Sequence, residues 1–284
     1  MSYASLSYNL FGGFTKILKP YFLDIKEDLR KANMNYTLEE YLSIAFFTTA
    51  VTFLLEAVLL SFLFGLFVSP LVALILAMTL SMTLSGMLFF LFYSYPTTAS
   101  KNRDTKIKKM LPFSVSYMAT VASSNVPPIV MFKILSAFKE YGELAKEAES
   151  IVRDVEMFGM TTLAAIKKQA KITPSKDMRD LLFGVNTMIM TGGDLGIFLK
   201  EKSEELMNDY RRRIRKYSQD ISLYVEMYLT LIITGSIFFI VLSSIISTIS
   251  AGLGTIMVHT FVVFILLPML SVAFIILIKS TNPM

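Results

Sequence analysis

YLSIAFFTTAVTFLLEAVLLSFLFGLFVS, residues 41–69, carries one charged side chain, Glu56, and is followed by Pro70. A bilayer crossing needs about 20 apolar residues as a helix, and the core of a soluble domain has no use for a longer run of this kind. Outward from it the pattern recurs. LVALILAMTLSMTLSGMLFFLFYSY follows at 71–95, and comparable segments stand at 221–249 and 255–278. No Lys or Arg occurs between Tyr41 and Ser100, or between Tyr217 and Ile278. The links inside the two pairs, Ser69-Pro70 and SAGLG at 250–254, are short and neutral, so each pair is expected to form an antiparallel hairpin. All basic residues then fall on one side of the bilayer, which the positive-inside rule assigns to the cytoplasm. The sequence therefore predicts an all-α polytopic membrane protein. Four transmembrane helices in two hairpins flank a cytoplasmic bundle, with both termini cytoplasmic.

The boundaries follow composition. Residues 1–40 are an N-terminal amphipathic segment whose charged stretch KEDLRKANMNYTLEEY approaches the membrane, with no signal peptide before the first hairpin. Thr37-Leu38-Glu39-Glu40 reads as a capping box opening the first span. Residues 41–95 form hairpin 1, 96–220 the soluble domain, and 221–284 hairpin 2 with a short cytoplasmic tail. Within 96–220, apolar stripes at helical spacing (Ile107, Leu111, Val115, Met118, Ala122; Leu144, Ala148, Ile151, Val155, Phe158; Met178, Leu181, Leu182, Val185, Met188, Ile189) predict a bundle of about six helices. From Asp194 to about Ile249 no proline intervenes. That predicts one helix, near 80 Å at 1.5 Å per residue, joining the bundle to the third span.

TGGDLG at 191–196 poses the sharpest chemical question. A phosphate loop wants a Lys and a hydroxyl directly after its last glycine, and a dinucleotide fingerprint wants a preceding strand. Here Asp194 stands where phosphate would approach, and the preceding residues read as helix. The better reading is a joint: Gly192 or Gly193 in the left-handed position ending one helix, and Asp194 capping the next. Pro127, Pro128, Gly159 and Gly196 are further expected hinges. Two basic clusters lie at the membrane-proximal ends of the domain: Lys101, Arg103, Lys106, Lys108 and Lys109, and Arg211, Arg212, Arg213, Arg215 and Lys216. Such clusters fix topology and touch anionic lipid; they could also dock an acidic partner. Nucleic acid is not expected, because aromatic residues are not interleaved with the basic ones. Glu56, mid-span, costs on the order of 3 kcal/mol to insert and should face other helices; it carries the alternative of a small transporter or ion-conducting subunit. The absence of cysteine excludes disulfides, thiolate metal sites and a thiol nucleophile. His259 lacks ligand companions, and no catalytic, cofactor or metal constellation can be assembled, so a non-enzymatic protein is expected.

MLPF at 110–113, VPPIVMFKIL at 126–135, VEMFGMTTLAAI at 155–166, TGGDLGIFLKEKSEEL at 191–206 and YFLDIKEDLRKANMNYTLEEYL at 21–42 occur in an order, within a hairpin–domain–hairpin plan, that resembles one family. It is the membrane platform proteins of type II secretion, type IV pilus and archaellum assembly, with the match covering about residues 20–280. Relatives often carry two such units, and a single unit here suggests a homodimer. Asn125 stands where relatives often have glycine, a substitution that tolerates left-handed backbone. The resemblance implies a scaffold without cofactors. It would work with a cytoplasmic hexameric secretion ATPase to lift pilin-like subunits from the membrane into a filament.

Overall fold

The computed structural model describes residues 3–124, 126–249, 257 and 260–280, and every regular element among them is helical. Its backbone divides into two units, Met1–Lys202 and Ser203–Met284. Asn125, His259 and the 250–254 link lie outside the described residues.

The first unit opens with α1 (Tyr3–Leu18), a 3-10 turn (Lys19–Phe22) and α2 (Leu23–Lys31), and continues into α3 (Leu38–Gly65). The capping box of α3 forms in full. The Thr37 hydroxyl accepts from the Glu40 N–H at 3.2 Å, and the Glu40 carboxylate accepts from the Thr37 N–H at 2.8 Å. A turn at 66–69 leads into α4 (Pro70–Ala122), 53 residues long, about 80 Å at 1.5 Å per residue. On α4 a stripe of small residues, Ala73, Ala77, Ser81 and Ser85, is buried, as close packing of membrane helices favours.

The boundary expected at 95/96 marks no break in the backbone, because α4 runs through both Pro96 and Pro112. Proline inside a helix removes one hydrogen bond and orphans the carbonyl four residues back. For Pro96 that carbonyl belongs to Phe92, and the Tyr41 hydroxyl of α3 donates to it at 2.7 Å. The orphan is satisfied from the neighbouring helix. Around this point Ile25, Leu29, Leu38, Tyr41 and Leu42 form a small core, with Phe22, Met34, Phe46 and Phe92 packed on it.

Beyond Ser100 the apolar stripe of α4 enters a helical bundle. α5 (Pro128–Ala137), α6 (Glu143–Glu156), α7 (Thr162–Ile172) and α8 (Lys176–Thr191) surround it, joined by the start of α9 (Leu195–Leu229). The core holds Ile107, Leu111, Val115, Met118, Phe132, Leu135, Leu144, Ile151, Ile166, Met178, Leu182, Val185 and Leu199. The stripe expected on α6 is corrected at its end. Phe158 is exposed, because α6 stops at Glu156, and the last inward position of that helix is Asp154. Gly184 lets α8 and α9 approach: a Cβ there would lie 2.3 Å from the ring of Phe198.

In the second unit α9 continues without a break through Tyr217–Ser222, passes into a π turn (Thr230–Thr234) and then into α10 (Gly235–Ile249). The end of α9 packs on α11 (Leu267–Ser280): the Tyr228 and Phe274 rings meet edge-to-face at 5.3 Å, and the Tyr228 and Ser271 hydroxyls lie 3.2 Å apart. Among the described residues, three helices are long and apolar enough to cross a bilayer, Leu38–Gly65, Pro70–Ala122 and Leu195–Ile246. The expected fourth span, 255–278, includes residues outside those described. Its described residues are 257 and 260–278, with the π turn Val262–Leu266 running into α11.

Candidate functional site

The two basic clusters and the helix joints are where function was expected, and the structure sorts their members. On α4, Lys101, Lys106 and Lys109 are exposed. Lys108 is tied to Asp104 one turn back at 2.8 Å. Arg103 is a correction: it is no surface charge. Its side chain is 11% exposed, its Nε donates to Glu143 at 2.8 Å, and one terminal nitrogen reaches Glu147 at 3.5 Å. The other terminal nitrogen donates to the Lys31 carbonyl. Arg103 thus clamps α2, α4 and α6 together.

Glu147 is the deepest acid in this clamp, with its side chain 1% exposed. One of its oxygens accepts from the Thr173 hydroxyl at 3.0 Å, while Oε2 is buried with no donor. Burial pushes its carboxyl above the usual range, against the pull of Thr173 and Arg103. For Glu143, burial also works to raise the pKa. Hydrogen bonds from Lys146 and Arg103 overcome it and hold the group below the ordinary value. A buried ion pair with one oxygen left unpaired is weak evidence for added stability.

The second cluster sits on α9 in the second unit. Arg211, Arg212, Arg213, Arg215 and Lys216 are all exposed or half-buried at most, and Arg212 pairs with Asp209 on its own helix. These side chains form a dense positive surface over less than two turns of helix.

The joints have defined geometry. Gly192 ends α8 in the left-handed region at φ 69°, with the Gly193 N–H donating to the Met188 carbonyl at 2.9 Å. Asp194 accepts from the Ile197 N–H at 3.0 Å at the start of α9, so its carboxylate is spent on the helix end. Gly196 is a close approach, since a Cβ there would lie 3.3 Å from the Ser123 Cα. Gly159 takes φ 65° after α6, and Pro127 and Pro128 open α5. In the membrane hairpin, Glu56 of α3 faces α4 and accepts from the Ser85 hydroxyl at 3.3 Å.

One cationic site was not legible in the sequence. Arg30 at the end of α2 and Lys167, Lys168 and Lys171 on α7 line a cleft of about 710 Å³ floored by Met34, Ala164 and Ile172. Lys168 is held by the buried Asp154 at 2.8 Å. The KKxxK spacing on α7 was visible, but Arg30 lies more than a hundred residues earlier, and only the fold brings them together. Among the described residues no group of three or more His, Cys, Asp or Glu could hold a metal.

The family model for the type II secretion system protein F matches residues 115–243, from the bundle half of α4 into α10. An uncharacterized protein of Methanocaldococcus jannaschii is 26% identical over 161 residues, 57% of this chain and 27% of that relative. The flagella accessory protein J of the same organism is 27% identical over 137 residues, 48% of this chain and 24% of its own length. The matches thus span about a quarter of these curated relatives. No solved structure matches the chain. Through its bundle and the helix that follows, the chain is similar to the type II secretion system protein F family, with a flagella accessory protein among the relatives it matches.

Proposed function

We propose that this chain is the membrane platform of a filament-assembly or secretion machine of the type IV pilus, archaellum or type II secretion kind. In this reading a cytoplasmic secretion ATPase moves the helical bundle, and the motion is passed to pilin-like subunits being drawn out of the bilayer. Homodimers and bound anionic lipid belong to the same proposal. The observation that carries it is the family match over the bundle and α9. The uninterrupted α4 supports it: one helix supplies both a membrane hairpin arm and the bundle core, so displacement of the bundle is felt in the lipid-facing half. The orientation rests on the absence of Lys and Arg from 41–100 and 217–278.

The test is capture of the cognate secretion ATPase by the purified, detergent-solubilised chain. Reversing Arg211, Arg212, Arg213 and Arg215 to Glu should weaken capture at least tenfold, while neutral Gln replacements weaken it less and membrane insertion is unchanged. Undiminished capture by the reversed, correctly inserted chain would remove α9 as the docking surface. No capture by the unaltered chain would remove the platform reading.

A further inference from the structure

α1 has a burial pattern inverted relative to a soluble helix. The side it buries is made of small residues, Ser7, Gly12 and Thr15. Tyr3, Leu6, Leu10, Phe14 and Ile17 are 53, 41, 65, 52 and 72% exposed. These five recur at intervals of three and four and form one continuous stripe. A second exposed stripe, Ser5, Asn9, Gly13 and Lys16, lies beside it and is polar. The helix therefore has three faces, each about a third of its circumference: small against protein, apolar outward and polar outward.

α1 is seated on α3 by an ordered set of contacts, made by the small face and by the aromatic rings that flank it. Lys19 pairs with Glu39 at 2.7 Å, Thr15 meets Ser43 at 3.2 Å, and Phe14 packs on Phe46 with centroids 5.5 Å apart. Phe11 and Tyr3 pack edge-on against Phe47, and the Tyr3 hydroxyl meets Thr48 at 2.8 Å. Between the first and last of these contacts the chain advances about 24 Å along α1 but only about 13 Å along α3. α1 is therefore inclined to α3. About 13 Å is also less than half of a hydrocarbon core about 30 Å thick, so from the charged end of α3 the helix stays within one leaflet. No charged residue occurs from Tyr3 to Thr15, and Lys16 and Lys19 stand at the end nearest Glu39. Beyond the residues of α3 that α1 contacts, Val51, Leu54, Leu55 and Val58 are exposed on the same candidate membrane span.

We propose that α1 is an interfacial membrane helix, clamped to the first span. Leu6, Leu10, Phe14 and Ile17 enter the acyl chains of one leaflet, and Asn9, Gly13 and Lys16 face its headgroups. The occupant of the apolar stripe is lipid. A helix that carries a polar face, an apolar face and terminal lysines lies in the boundary plane, not across it, and small residues are what allow it to pack on a membrane helix. The inference uses only the membrane character of α3 and is independent of the ATPase partner. It supplies a lipid-anchored strut against the base of the first hairpin.

The chain contains no tryptophan, so single replacements give a clean fluorescence probe. Leu10→Trp, Ile17→Trp, Asn9→Trp, Leu55→Trp as a lipid reference and Met157→Trp as a water reference would each be reconstituted in the full chain. The vesicles would contain phospholipid brominated along the acyl chains. Leu10→Trp and Ile17→Trp should be quenched by bromolipid at least half as strongly as Leu55→Trp and spared by aqueous iodide. Asn9→Trp should show the opposite preference, and Met157→Trp should respond to iodide alone. Iodide quenching of Leu10→Trp and Ile17→Trp without bromolipid quenching would overturn the proposal in favour of a water-facing helix. Protection from both quenchers would overturn it in favour of a protein partner on the stripe. If Leu55→Trp also escaped bromolipid, the membrane reading of α3 itself would fall, a distinct outcome. Circular dichroism of each variant checks that the helices persist.

Discussion

Arg103, Glu143 and Glu147 show how differently one residue reads in sequence and in space. In sequence Arg103 belongs to a basic run beneath a membrane span. In the fold it is the cation that meets Glu147, whose pKa burial raises, and one of two that meet Glu143, whose pKa they lower. The signs give opposed pH dependences. A raised folded-state pKa means that the contribution of Glu147 is fully present below the ordinary glutamate range and is lost as pH rises through the raised value; the lowered Glu143 contributes above that range and is lost as pH falls. Glu147→Gln keeps an acceptor for Thr173 and removes the buried charge. Thermal unfolding in detergent should therefore show it equal to the parent near pH 4 and more stable at pH 8, with the difference growing as pH rises. Arg103→Met should behave oppositely, costing about 3–5 kcal/mol because the buried Glu147 loses its cation, while Glu143 keeps Lys146. A Glu147→Gln chain less stable than the parent at pH 8 would contradict the burial argument. None of this was legible in sequence, since Arg103 meets its acids across 40 and 44 residues. The capping box was legible, because its partners lie three residues apart.

At the scale of elements, the apolar runs at 41–69 and 71–95 were readable from length and charge alone, and α3 and α4 occupy them. What sequence could not give was the continuity of α4. Proline is a sound stop signal when nothing is known of its neighbours, and the hydroxyl that repairs the break at Pro96 comes from a residue 51 positions before Phe92. The seating of α1 on α3 was not legible within the amphipathic segment 1–40 for a related reason. Its apolar stripe is narrow, and its inward face of serine, glycine and threonine looks like surface until α3 is placed against it. The repair of α4 has a measurable consequence. Tyr41→Phe leaves the Phe92 carbonyl without a donor and should cost about 1–3 kcal/mol. In a Pro96→Ala background the amide N–H restored by the substitution can bond Phe92 itself, so the same Tyr41→Phe change should cost less than half as much. Equal costs in the two backgrounds, by denaturant titration in detergent, would show that Tyr41 is not the compensating donor.

At the scale of the whole molecule, the claim on which the platform reading depends is sidedness: it requires the bundle and both basic clusters on the cytoplasmic side, and the tight turn at Ser69-Pro70 on the opposite side. Positive charge distribution argues for it. Because the chain has no cysteine, sidedness can be read directly with single replacements in living cells. Ser69→Cys and Lys139→Cys both place the thiol at exposed positions, one in the turn between α3 and α4 and the other in the bundle. A membrane-impermeant maleimide should label Ser69→Cys in intact cells and label Lys139→Cys only after the membrane is permeabilised. Labelling of Lys139→Cys in intact cells, with Ser69→Cys protected, would place the bundle outside and contradict the account.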